Sequence, residues 1–182
     1  YKRRKIMNFG QAVNSALIEK YATFKGRACR AEWWYFLLFS VLATIVVTSA
    51  VSFFTFGSVD WEYVATLNED QAAKFVLESD FGKALSAASI VLTLALFVPS
   101  FAVTVRRVQD LDASYYWSLP YLVAALIGLY VAIFPSIENS VIRLDALANL
   151  ISIIYCLAFL RRGSFDENRF GPDPLEVKED TY

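Results

Sequence analysis

Two arginine clusters and one asparagine–proline turn carry most of the recognisable chemistry of this chain. The first cluster lies in Phe24-Lys25-Gly26-Arg27-Ala28-Cys29-Arg30-Ala31-Glu32-Trp33-Trp34 and the second in Arg106-Arg107-Val108-Gln109-Asp110-Leu111-Asp112. The turn is Asn168-Arg169-Phe170-Gly171-Pro172-Asp173-Pro174. A guanidinium presents its N–H donors as a planar fork matched to carboxylate or phosphate, so each cluster is suited to holding an anion. Arg106 and Asp110 stand four apart, which predicts pairing on one helix face. Three uses of Arg27, Arg30, Arg106 and Arg107 stay open from spacing alone. They can pair internally with Glu32, Asp110 and helix C-terminal carbonyls, or snorkel and set topology. They can also bind an anionic lipid headgroup, a phosphate or a partner carboxylate. The third motif reads as a compact turn folded back near the arginines: Gly171 permits positive φ, and Asn168 or Asp173 can bond nearby backbone.

Catalysis has little to draw on. There is no histidine, and the two cysteines, Cys29 and Cys156, are too far apart in sequence to suggest a disulfide framework or zinc site. Both are expected to be free, inert thiols. No glycine-rich phosphate loop and no nucleophile–base spacing occurs. Glu32 and Asp110 can titrate, but a carboxylate beside arginine stays ionised. The expectation is a protein that is not an enzyme and uses no cofactor or metal. Its basic residues are explained by topology, so nucleic acid is not an expected partner.

The elements that must position these motifs are four long apolar runs, at 33–56, 84–105, 119–135 and 144–160. Each approaches the roughly 20 residues with which a helix crosses about 30 Å of hydrocarbon. With 57% hydrophobic residues, net charge −1 and no charge near the centre of any run, lipid is the better solvent for them. The predicted fold is an all-α integral membrane protein: a four-transmembrane-helix bundle with an N-terminal amphipathic interfacial helix. The chain divides into a basic segment 1–32, the bundle 33–160 and a tail 161–182.

Lysine and arginine give the direction. Lys20, Lys25, Arg27 and Arg30 precede the first run, Arg106 and Arg107 follow the second, and Arg161, Arg162, Arg169 and Lys178 follow the fourth. The remaining loops hold only Lys74, Lys83 and Arg143. The positive side should be cytoplasmic, with both termini inside. Lys2, Arg3, Arg4 and Lys5 point the same way, and the conclusion stands without Tyr1 to Ile6, whether or not that stretch is native. The first run is too long for a signal-peptide core and reads as a retained span.

Local signals refine this picture. Phe9, Val13, Leu17 and Tyr21 at fourfold spacing after Asn8 predict a capped helix, either on the membrane surface or against the hinges. Trp33, Trp34 and Tyr35, and Tyr115, Tyr116 and Trp117, suit the headgroup belt. Pro99 frees the carbonyl of Ala95 and predicts a kink, Pro120 fits a first helical turn, and Pro135 a stop. The acidic loop 57–83 offers Ala72, Phe75, Val76 and Phe81 for a short helix, on the outer leaflet or packed on the bundle. Thr44, Thr48, Ser49, Ser86, Ser89 and Thr93 can line a polar seam or bond their own helices.

The three polar motifs, with Pro99 ahead of the arginine pair, resemble the bacterial inner-membrane domain-of-unknown-function family 805, the YhaH-like proteins. The resemblance covers about residues 8–174. The family's second motif usually has a histidine before the aspartate and a glycine soon after; those places here are Gln109 and either Asp112 or Ala113. The usual serine of the first motif is Cys29. The resemblance implies a multi-span inner-membrane protein and brings no reaction, cofactor or substrate. The expected function is a non-catalytic scaffold or accessory subunit whose cytoplasmic arginines, Arg27, Arg30, Arg106 and Arg107, contact anionic lipid or a membrane or cytoplasmic partner. Glu32, Asp110, Asn168 and Asp173 are expected as their structural partners. The alternative is a small-solute or ion transporter or channel component. The oligomeric state is not readable from the sequence.

Overall fold

The computed structural model describes residues 6–134 and 139–176; Lys2, Arg3, Arg4 and Lys5, Pro135 and Lys178 lie outside the described residues. The helices are α1 (Phe9–Asn14), α2 (Arg30–Thr55), α3 (Trp61–Val64), α4 (Glu69–Glu78), α5 (Asp80–Asp110), α6 (Leu119–Ile133) and α7 (Asn139–Phe159). At 1.5 Å per residue, α2 is about 39 Å long and α5 about 46 Å, both longer than the hydrocarbon core. A single turn over Tyr115–Ser118 leads into α6, and among the described residues four helices are long and apolar enough to cross a membrane. Leu38, Val41, Leu42, Ile45, Val46, Phe53 and Phe54 of α2 face outward. Such a continuous exposed apolar stripe is stable only in lipid.

The long helices continue past their apolar runs wherever polar groups find partners. α5 extends from Val105 to Asp110 through residues that are buried, not solvated. It forms the middle of the bundle, packed against α2 and α6, while α7 packs on α6. The segment before α2, the end of α5 and the tail after α7 meet at one end, called here the motif-bearing end. There the Ala28 amide donates to the Arg106 carbonyl at 3.0 Å and the Ser164 amide to the Asp110 carbonyl at 2.8 Å. The other end is closed by rings: Trp61 stacks on Phe56 at 4.8 Å, and Phe75 meets Tyr63 at 5.2 Å. The helix read from Ala72, Phe75 and Val76 is α4, capped by Asn68 with Gln71 and packed against α5; Phe81 belongs to α5.

One expectation is refined and one needs correction. Asn8 does cap α1, in a reciprocal capping box with Gln11. Ala12 of α1, with Ser15 and Ala16 of the turn after it, is buried against the bundle; of the Phe9–Val13–Leu17–Tyr21 stripe, Phe9 and Tyr21 stay exposed and Leu17 packs against the core. A wider turn over Ser15–Glu19, with the Lys20 amide donating to the Ser15 carbonyl at 2.8 Å, rotates the later residues out of phase. Small side chains then let the helix lie close against α2. Trp33 is also not a belt residue. It is 4% exposed, donates from Nε1 to Thr104 Oγ1 at 3.2 Å and packs edge-on against Phe159 at 4.9 Å. One helical turn from buried Phe36, it lies on the inward stripe of α2. Tyr115, Tyr116 and Trp117 are exposed.

Pro99 is buried within α5 and leaves the Ala95 carbonyl without its usual amide. Tyr21 supplies the missing donor: its hydroxyl bonds the Ala95 oxygen at 3.0 Å. Phe24 packs on Phe101 nearby, so the segment after α1 is tied along α5. Tyr21→Phe should cost about 1 kcal/mol of unfolding free energy in detergent denaturation. In a Pro99→Ala background, where residue 99 regains its N–H, that loss should shrink toward zero. Equal losses in both backgrounds would show that the hydroxyl does not serve the freed carbonyl.

Candidate functional site

The site is a buried ionic network built from three stretches of chain. Cys29 stands at the N-cap of α2, its Sγ accepting from the Glu32 amide at 3.4 Å, a place where a small side-chain acceptor is favoured. That start turns the Glu32 carboxylate inward, where Oε1 accepts from Arg106 Nη1 at 2.6 Å and from the Ser15 hydroxyl at 3.1 Å. Four residues further along α5 from Arg106, Asp110 receives two guanidiniums. Arg27 Nε reaches Oδ1 at 2.9 Å, and Arg107 Nη1 bonds Oδ2. Relative exposure is 5% or less at Arg27, Arg106, Arg107, Glu32 and Asp110. Charge-assisted bonds of this kind are roughly twice as strong as neutral ones, and desolvation makes each partner necessary to the other.

Backbone carbonyls add further acceptors for Arg27 and Arg107. Arg107 Nη2 donates to Phe159 at 3.0 Å and to Arg161, the oxygens that the end of α7 leaves without helical partners. Arg27 donates to Ser164 and Asp166 at 2.6 Å each and to Gly171 at 3.2 Å. The tail therefore docks on the arginines, as its turn residues suggested. Asn168 exchanges backbone bonds with Gly171, whose φ is +128°, and its side-chain amide donates to the Gln109 carbonyl at 3.0 Å. Asp173 Oδ1 accepts from the Leu175 amide, an Asx-type turn. Of the two places where the resemblance sets a glycine, Asp112 is the one with positive φ (56°), which aspartate tolerates better than most residues.

The sequence identified the members but not all the pairs. Arg106 pairs with Glu32, not with Asp110; the i,i+3 neighbour Arg107 takes that carboxylate. The difference arises because α2 and the segment before it lie against this end of α5 and bring their own ions. Nor do Arg27, Arg106 and Arg107 reach the surface, so the lipid or partner contact expected of them is corrected: their guanidiniums are buried among internal acceptors. Arg30 alone of the four is exposed, with Nη1 donating to the Leu160 carbonyl at 3.3 Å. Ser15, Ser164 and Gly163 were not foreseen. Gly163 has a steric reason, because a Cβ there would lie 1.9 Å from Asp110 Oδ2. No local pattern announces a contact between residues so distant in sequence.

Chemically, the arrangement locks charge in place. Burial pushes the Cys29 thiol up from its ordinary range, and the nearby Glu32 and Asp110 charges add to the shift, so the thiol stays protonated at neutral pH. Arg107→Gln or Glu32→Gln should each destabilise the protein by roughly 3–5 kcal/mol, since each strands a buried partner. Glu32→Leu combined with Arg106→Met should recover much of that loss; melting in detergent measures it. Gly163→Ala should lower the melting temperature by displacing Asp110. Wild-type melting in these variants would contradict the buried pairing.

With this geometry in view, comparison with known proteins identifies the family. The family described as "Protein of unknown function (DUF805)" matches residues 21–172, which include the first two polar motifs and the third as far as Pro172. Inner membrane protein YhaH of Escherichia coli (strain K12) is 26% identical over 162 residues, covering 87% of this chain and 92% of that protein. Inner membrane protein YhaI of the same organism is 23% identical over 159 residues, with the same coverage. No solved structure matches. The chain, a multi-pass inner-membrane protein with four spanning helices, belongs to the DUF805 family.

Proposed function

We propose that the protein is a non-catalytic scaffold or accessory subunit of the inner membrane that meets anionic lipid or an acidic partner through the exposed part of its motif-bearing end. One observation carries this reading. Arg27, Arg106 and Arg107 are held by internal acceptors, while Arg30 stays at the surface, lining a groove with Trp34, Tyr35 and Leu160. A rigid base with an outward guanidinium is what a contact surface needs. The Lys and Arg distribution supports a cytoplasmic position for this end and for both termini. No step of the reading requires a reacting group.

A transport reading has one observation in its favour. A groove of about 420 Å³ lies among α2, α5 and α6, lined in part by Thr44, Thr48, Ser89, Thr93 and Ser100. Against it, Thr44 and Thr48 donate to carbonyls of their own helix, at Ser40 and Thr44, and the lining carries no ionisable carboxylate or base. Liposomes containing the pure protein should stay passive to labelled solutes; specific flux would favour the transport reading instead.

The contact reading predicts that Arg30→Gln inserts and melts like wild type but co-purifies with less lipid phosphorus or less partner protein from mild detergent. Unchanged recovery of both would end it.

A further inference from the structure

α7 packs on α6 and buries Val141 and Ala148, yet it also holds Arg143, Asp145 and Asn149 within its membrane-crossing length. Asn149 stands ten residues, about 15 Å, from the Phe159 end of the helix, half of a hydrocarbon core roughly 30 Å thick. Its side chain is exposed on the surface of the single chain. One amide N–H donates to Asp145 Oδ2 at 3.0 Å. The other N–H and the Oδ1 acceptor have no partner among the described residues. Polar atoms left so in hydrocarbon are costly, and membrane helices satisfy them across helix–helix contacts.

The residues around Asn149 form a seam. Ile142, Ala146, Asn149 and Ile153 are all exposed and follow one another by four, three and four, the spacing with which two helices supercoil left-handedly. The seam lies about 120° around the helix from Val141 and Ala148, so packing on α6 leaves it open. Ala146 is small and lets a second helix approach closely beside Asn149. Cys156, next in the series, already packs on the core, which confines the seam to the half of α7 away from the motif-bearing end.

Arg143 and Asp145 stand on the two flanks of this seam, about 90° to one side and about 70° to the other. Two apart on one helix, they diverge by about 200° and cannot pair with each other. Arg143 makes no ion pair among the described residues. A two-fold axis along the membrane normal sets the Arg143 flank of one copy against the Asp145 flank of the other, with about 3 Å of rise between them. The same axis sets Asn149 opposite Asn149 at equal depth. An amide is donor and acceptor at once, so two of them exchange N–H···O bonds with no third group. Both matches need the same sequence inserted the same way, and a copy of this chain supplies that.

We infer that the protein pairs with a second copy of itself along this half of α7. The two Asn149 amides bond each other, and Arg143 of each copy pairs with Asp145 of the other. The seam lies toward the opposite end of α7 from the Leu160 carbonyl that Arg30 holds, so this pairing and the Arg30 contact stand or fall separately.

Energy transfer between full-length chains tests it, with donor-labelled and acceptor-labelled protein reconstituted together in phosphatidylethanolamine–phosphatidylglycerol liposomes over a range of protein-to-lipid ratios. Transfer should saturate with the stoichiometry of a dimer. Asn149→Leu, which lipid tolerates better than asparagine, should weaken association about tenfold, as expected of amide bonds formed in lipid. Arg143→Asp and Asp145→Arg should each associate poorly with their own kind, because like charges then meet on both flanks. A mixture of the two variants should associate as wild type does, since opposite charges face each other again. Should either charge variant fail to insert, Ala146→Cys in a Cys29→Ser, Cys156→Ala background replaces them. Oxidation should cross-link that chain to its copy, while Leu147→Cys, exposed but off the seam, should stay uncross-linked. Association that neither Asn149→Leu nor the charge variants alter would overturn the inference, as would equal cross-linking at both cysteines. Chains that stay monomeric in the liposomes would overturn it too and leave the seam to a different protein.

Discussion

Two guanidiniums on one buried carboxylate set the terms for the rest of this molecule. Asp110 lies at the end of α5, where water is excluded by the start of α2 and by the tail. An uncompensated charge there would be costly; Arg27, from the segment before α2, and Arg107, from α5 itself, compensate it. Each arginine then brings its own requirement. Arg107 needs the carbonyls that end α7, and Arg27 needs those of Ser164, Asp166 and Gly171. The tail must therefore fold back for Arg27 to be tolerated, and α7 must end at the depth of Arg107. Such a network specifies one arrangement more than it adds stability, because its Coulomb gain is largely offset by desolvation.

The membrane-embedded length has much weaker ties. Inside lipid there is no hydrophobic drive between helices, so packing and a few hydrogen bonds must suffice. Those available are sparse: Trp33 to Thr104, Tyr21 to Ala95, and Tyr155 to the Trp117 carbonyl. Ser40, Thr44, Thr48 and Ser152 turn their hydroxyls onto their own helices and add nothing between them. Rotation of one helix against another is thus restrained chiefly at the motif-bearing end and by the ring cluster at the other. Pro99 lies between these anchors, which explains why the carbonyl it frees is held by a residue from outside the bundle.

Most of the architecture was legible because lipid imposes a strong composition signal. The four apolar runs, the Asn8 cap, the first-turn position of Pro120 and the positive φ at Gly171 all follow from local rules. The arginines and carboxylates could be named as a set for the same reason: charge at the edge of an apolar run needs a partner. Their pairing could not be read, since Arg27 and Asp110 are separated by two spans, and Arg106 and Arg107, four and three residues before Asp110, both lie within helical pairing distance of it. Trp33 was misplaced because belt and core aromatics have the same residue type and differ only in helical phase.

Helical phase also ties the buried network to the exposed surface. Arg30 and Glu32 are two apart in α2, about 200° around the helix at 100° per residue. Once Glu32 points inward to Arg106, Arg30 has to point outward. Arg27 escapes this rule because it precedes the N-cap, in chain that is not yet helical. Two arginines three residues apart therefore take opposite roles, one internal and one external, through a single boundary at Cys29. The outward direction of Arg30 is fixed by the same pair that closes the bundle, so a change that loosens the Glu32–Arg106 contact would also shift Arg30.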